Sequence, residues 1–169
     1  CRAVAAAVLN DSDAIEFVPT TGKTRFTALA SGEIDMLARN TTWTFSRDVD
    51  LKFEFVGVNY YDGQGFMAKA DLGVSSATEL DGATVCIQTG TTTELNLADF
   101  FRSNNMSYEA VPVETGSEAV TNYLAGACDV FTTDRSALAA RRANFEVPTD
   151  HVVLPEIVSK EPLGPLVPV

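Results

Sequence analysis

The chain has 169 residues, 46% hydrophobic and 21% charged, a balance that supports a buried core in one or two domains and excludes disordered and fibrous classes. Its 12 Lys and Arg stand against 23 Asp and Glu, and the formal net charge of −11 repels nucleic-acid phosphate and anionic membrane surfaces. No apolar run approaches the roughly 20 residues that span a bilayer, and Cys1-Arg2-Ala3-Val4 lacks the charged and apolar regions of a signal peptide.

In chain order, Arg2 to Leu9 carries apolar residues on all sides and reads as a helix packed between a sheet and its neighbour. Ala14-Ile15-Glu16-Phe17-Val18 alternates as a short strand ending at Pro19. From Thr24 to Ser31 the spacing of Phe26, Leu29 and Ala30 marks a short helix, which Gly32 stops as a left-handed C-cap. Ile34 to Ala38 then reads as a buried strand, so that strand, helix and strand imply a parallel pair with a right-handed crossover. Phe53 to Val58 and Gly65 to Lys69 are strand-like runs flanking Asn59-Tyr60-Tyr61-Asp62-Gly63 with no helix between them, and they carry the chain toward a second domain.

Beyond that point Ala83–Gln88, Tyr108–Val113 and Cys128–Thr132 read as strands, with helices over Thr92–Asn104, Ser117–Ala125 and Ser136–Ala143. This β-α-β-α-β series implies a doubly wound parallel sheet with ligands at the carboxyl ends of its strands. Val152-Val153-Leu154-Pro155 and Ile157-Val158 look extended, as a chain returning to the first domain would be. Two α/β lobes joined by extended crossings enclose a cleft. The opening on a helical pattern and the close on Gly164-Pro165-Leu166-Val167-Pro168-Val169 read as a piece of a longer chain.

Cys1, Cys86 and Cys128 lack metal-ligand spacing and His151 is the single histidine, so neither a metal nor another cofactor is expected. Two readings of the thiols stand: a Cys86–Cys128 disulfide in an oxidising compartment with Cys1 unpaired, or three buried thiols.

Three stretches place small polar residues just after a strand: Arg39 to Asp48, Gln88 to Glu94, and Thr132 to Arg135. In the second, Gly90 permits a tight turn and Thr91 to Thr93 begin a helix whose free N–H groups attract an anion, although a threonine there also serves as a plain cap. Arg47 ends the first stretch, and its guanidinium fork fits a carboxylate. An arginine in such a place also serves as a surface charge, with Asp48 beside it as partner. Asp134 either accepts from an ammonium or caps the helix near Ser136.

The run from Arg25 to Leu37, followed by Thr42-Trp43-Thr44 and Arg47, resembles the bacterial extracellular solute-binding proteins of family 3. Asp62 to Met67, Gly90 to Leu97, Cys128 to Asp134 and Lys160 to Pro165 are similar, within that family, to the general L-amino-acid-binding periplasmic subunits of ABC transporters. The resemblance implies the two-lobed type II periplasmic-binding-protein fold, each lobe a mostly parallel sheet flanked by helices. Residues 1–60 make the first lobe, 61–154 the second, and 155–169 return to the first. It also implies that the first lobe lacks its first strand and closing elements, leaving a sheet edge or apolar face exposed.

By the same resemblance Arg47 holds the ligand's α-carboxylate, completed by Thr91 and Thr92, while Asp134 takes the α-ammonium. Asn40 offers its backbone carbonyl to the ammonium, and Thr42 gives backbone and hydroxyl contacts. Arg39 stands where the family often has a small hydroxyl residue; it either favours acidic or amide ligands or faces solvent. Trp43, Tyr60 and Tyr61 pack beside the cleft or in the core. The implied partners are a free L-amino acid and a transporter's membrane permease. A cyclohexadienyl dehydratase-like enzyme on the same scaffold would need a general acid in the cleft, and no nucleophile-base pair is visible in the sequence. A ligand-sensing receptor domain would share the same pocket.

Overall fold

The structure, a computed structural model, describes residues 1–169. Its larger body is a five-stranded sheet in the order β5-β4-β6-β3-β7, built from β3 (Gln64–Lys69), β4 (Ala83–Gln88), β5 (Tyr108–Val113), β6 (Val130–Asp134) and β7 (His151–Val153). Three helices, α3 (Thr92–Ser103), α4 (Gly116–Leu124) and α5 (Arg135–Ala143), cover it. The strands β5, β4 and β6 run parallel, as their intervening helices require. The sheet is mostly parallel, as expected: only β3, which enters directly from the crossing, runs antiparallel to its neighbours β6 and β7.

The alternation along these strands sorts the core onto two faces. Phe66, Val85, Ile87 and Val130 pack with Leu97 and Phe101 of α3, while Met67, Cys86 and Phe131 pack with Tyr123 of α4 and Leu138 of α5. Cys86 and Cys128 form a disulfide inside the second cluster, and Cys1 is free and exposed. His151, the only histidine, meets the Tyr123 hydroxyl at 2.8 Å within this body.

The smaller body holds α1 (Arg2–Leu9), α2 (Arg25–Ala30) and an antiparallel pair of β1 (Phe53–Phe55) with β9 (Leu166–Pro168). Leu29, Leu37, Phe53, Phe55 and Leu166 form its core. Residues 14–18 form no ladder, and 34–38 contribute one bridge, Leu37 to Leu166, so the predicted parallel pair is absent. Alternating side chains make a strand only where a neighbour supplies the ladder; residues 14–18 have none, and 34–38 meet β9 at that single bridge. Helix α1 forms as expected but is not packed on both sides: it buries only Ala5, and Val4, Val8 and Leu9 lie exposed with Phe17 nearby.

Two crossings join the bodies, β2 (Tyr60–Asp62) paired antiparallel with β8 (Glu161–Leu163). The first crossing is thus a strand where the sequence suggested a plain connection. The segment around Val152 and Val153 closes the edge of the larger sheet, and the return occurs later, at β8. Tyr60 and Tyr61 are exposed on the outside of this joint and face neither core nor cleft, whereas Trp43 stacks on Phe55 at 5.1 Å.

Candidate functional site

The order β5-β4-β6 means the chain leaves β4 on one side and returns on the other, and the crevice between β4 and β6 opens at their carboxyl ends. There β4 runs into the turn Thr89-Gly90-Thr91 before α3, and β6 ends on Asp134 before α5. The loop Arg39–Arg47 of the smaller body faces them. All seven residues expected at the site, Arg39, Asn40, Thr42, Arg47, Thr91, Thr92 and Asp134, line one narrow cavity with no hydrophobic residue in its wall.

Local structure explains how each is aimed. Thr91 caps α3 by accepting from the Glu94 N–H, and Glu94 in turn accepts from the Gly90 N–H. The first N–H groups of α3 have no acceptor within the helix, and Thr91, Thr92 and Thr93 line the cavity. Asp134 stands at the N-cap of α5, yet its side chain makes no capping bond. Asp62 does that work, taking the Ser136 N–H and hydroxyl. The Asp134 carboxylate is therefore free to cross the cleft, where it accepts from Asn40 Nδ2 at 2.9 Å. The loop bearing Thr42 is pinned by Trp43 N–H to Pro162 O and Gly164 N–H to Thr41 O, both on the returning chain.

Arg47 is 7% exposed, donates Nη1 to Thr42 O at 2.9 Å and lies 5.2 Å over the Phe26 ring. It forms no salt bridge with Asp48, so the surface-pair reading does not hold. Burial lowers its pKa, against the favourable charges of Glu161 and Asp134. Arg39, half-buried, donates to Thr20 O at 2.6 Å and lines the cavity.

Sequence reasoning missed Arg25, Gln64, Glu161 and Gly22. Arg25 is 3% exposed, donates to Thr41 Oγ1 at 3.2 Å and reaches Gly90 O at 3.5 Å across the cleft. Burial, then Arg47 and Arg39, pulls its pKa down to about 9, and its Nε has no partner. A signal existed: a cation opening a helix opposes the helix dipole and calls for an anion. Gln64 is fully buried beneath the cavity, donating to Thr93 O and Thr132 Oγ1 with its own Oε1 unpartnered.

The charges are unequal. Three guanidinium groups, Arg25, Arg39 and Arg47, converge on a wall whose one carboxylate is Asp134. Burial raises Asp134 to about 6, with Asp62 and Glu161 adding to the rise and the Asn40 hydrogen bond opposing it. Such a site can pair a carboxylate with the arginines and an ammonium with the aspartate.

Residues 2–161 match the family described as bacterial extracellular solute-binding proteins, family 3. The chain is 64% identical over 167 residues to the glutamate/glutamine/aspartate/asparagine-binding protein BztA of Rhodobacter capsulatus, covering 99% of this chain and 49% of that protein. It is 56% identical, with the same coverage, to the general L-amino acid-binding periplasmic protein AapJ of Rhizobium johnstonii. Among solved structures, an ABC transporter periplasmic binding protein from Brucella ovis with glutathione bound superposes with a TM-score of 0.93 at 54% identity, over 99% of this chain and 53% of that one. The chain spans about half the length of the curated relatives it matches.

Proposed function

The chain belongs to the bacterial extracellular solute-binding proteins, family 3, and on that basis we propose that it is the ligand-holding part of a periplasmic protein that captures free L-amino acids and delivers them to an ABC-transporter permease. Residues 1–60 and 155–169 act as one lobe and 61–154 as the other. Arg47 takes the α-carboxylate together with the α3 N-terminus at Thr91 and Thr92, and Asp134 takes the α-ammonium with Asn40 and Thr42. The observation that carries this reading is the meeting, in one all-polar cavity, of the arginines of one body with the free carboxylate and helix terminus of the other. The relatives named above are binding proteins, and binding rather than catalysis is the activity we assign. The only histidine sits with Tyr123, outside the cavity wall, so a dehydratase mechanism has no imidazole acid there.

Three guanidiniums against one carboxylate favour a ligand with a second anionic or carbonyl oxygen, met by Arg39 and Arg25. This fits the acidic and amide amino acids in the name of the Rhodobacter relative and the γ-glutamyl peptide bound to the Brucella protein. Calorimetry with the twenty L-amino acids and glutathione tests both levels. The expected order places L-glutamate and L-aspartate above L-leucine and L-lysine, and Arg47→Ala removes most affinity for every ligand. Unchanged binding in that variant would sink the assignment.

A further inference from the structure

Glu161 is 3% exposed on β8, has no salt bridge, and is not part of the cavity wall. Four neutral donors saturate its carboxylate. Oε2 accepts from the hydroxyls of Thr42 and, at 3.2 Å, Thr92; Oε1 accepts from Asn96 Nδ2 at 2.8 Å and Ser159 Oγ at 2.6 Å. Thr42 belongs to the smaller body, Thr92 and Asn96 to the first two turns of α3, and Ser159 to the returning chain.

Each hydroxyl has one proton. Thr42 commits its proton to Glu161. The Thr92 proton has two acceptors within reach, Glu161 and the Thr42 oxygen 3.3 Å away, and both lie inside the network. Neither threonine keeps a proton for the cavity that both line. Their oxygens therefore face the ligand as acceptors only.

We propose that Glu161 is a positioning residue that fixes the Thr42 hydroxyl as an acceptor for the ligand's ammonium, leaves Thr92 to meet the carboxylate through its backbone N–H alone and, through the same four bonds, ties the two bodies in the closed arrangement. The proposal rests on the amino-acid-binding reading for the first part; the second part stands without it. An alanine at 161 leaves no acceptor in that place, so the Thr42 proton is free to turn toward the ammonium. Asn96, which does not line the cavity, acts on the ligand only through Glu161.

The test compares wild type, Glu161→Ala and Asn96→Ala, titrating L-glutamate and glutarate, which lacks the ammonium, and recording the radius of gyration of the ligand-free chain by X-ray scattering. The proposal expects Glu161→Ala to lower L-glutamate affinity about tenfold more than it lowers glutarate affinity. It also expects both variants to expand the ligand-free chain. Equal loss for the two ligands, or unchanged L-glutamate affinity, overturns the acceptor role; an unexpanded Asn96→Ala overturns the tie. Should Glu161→Ala fail to fold, Glu161→Leu, which keeps the buried volume but offers no acceptor, decides the acceptor role and Asn96→Ala the tie. Should the wild type bind no amino acid, the functional reading falls and the acceptor role with it, and scattering alone decides the tie.

Discussion

The dry wall that suits Arg47 to a carboxylate also penalises Asp134, whose pKa of about 6 stands above the value near 3.9 of an unfolded aspartate. The folded chain holds that proton more tightly, so the group's contribution to stability is complete below about pH 4 and is lost as the pH rises through about 6. An ammonium needs the ionised form. L-Glutamate affinity is therefore expected to rise between about pH 5 and about pH 7.5, and equal affinity at both ends, measured by calorimetry, would count against Asp134 as the ammonium partner. Asp134→Asn keeps an acceptor for Asn40 but removes the charge. Breaking one partner of a desolvated pair costs roughly 2–5 kcal/mol of binding, and the pH dependence should flatten with it. The same variant should melt at a higher temperature than wild type when ligand-free near pH 7, because it no longer buries a charge. Arg47 and Asp134 could be singled out from sequence because each follows a run that names its place, the end of a polar loop and the end of a strand. Arg25 offers only its place opening a helix, because its guanidinium reaches the site through Thr41 and Gly90, one on each side of the cleft.

Strands β4, β5 and β6 and helices α3 to α5 were legible because each satisfies its own hydrogen bonds locally or through neighbours that the β-α-β order dictates. Residues 14–18 and 34–38 carry the same kind of alternation, but a strand's existence depends on a partner that alternation does not supply. The antiparallel return of β7 on β3 was hidden for a similar reason, since His151–Val153 is three residues long and its pairing is set by β3, far earlier in the chain. The thiols were undecided in sequence because burial and bonding suit them equally; the fold decides by bringing the two Cα atoms to 5.6 Å. With its ends 42 positions apart in the chain, this disulfide is expected to stabilise the larger body by about 2–4 kcal/mol. Replacing Cys86 and Cys128 together by alanine should lower the denaturant midpoint accordingly while ligand affinity at low temperature persists, as both residues lie in the α4–α5 core cluster and outside the cavity wall. A midpoint unchanged by the double substitution would contradict that role.

The cleft belongs to the whole molecule, and its closure depends on a contact no local pattern announces. Gly22, in the loop before α2, lies against the turn after β4: a Cβ placed on it would stand 2.7 Å from Thr89 O. Gly90, facing it, has φ +73° and its own Cβ would meet Gly22 C at 3.1 Å. The second glycine is required by its turn, and could be read in sequence. The first is required only because the two bodies meet there, as Glu161 is buried only because the return strand passes under both of them. A ligand stabilises the closed state by binding it better than the open one, so whatever opposes closure is subtracted from affinity. Gly22→Ala puts a methyl group against backbone that has little freedom to retreat. It should leave the melting temperature of the larger body near that of wild type, expand the ligand-free chain in scattering, and weaken L-glutamate binding by about tenfold, roughly 1.4 kcal/mol. A variant that binds as tightly as wild type would mean that the bodies reach their binding geometry without this backbone contact.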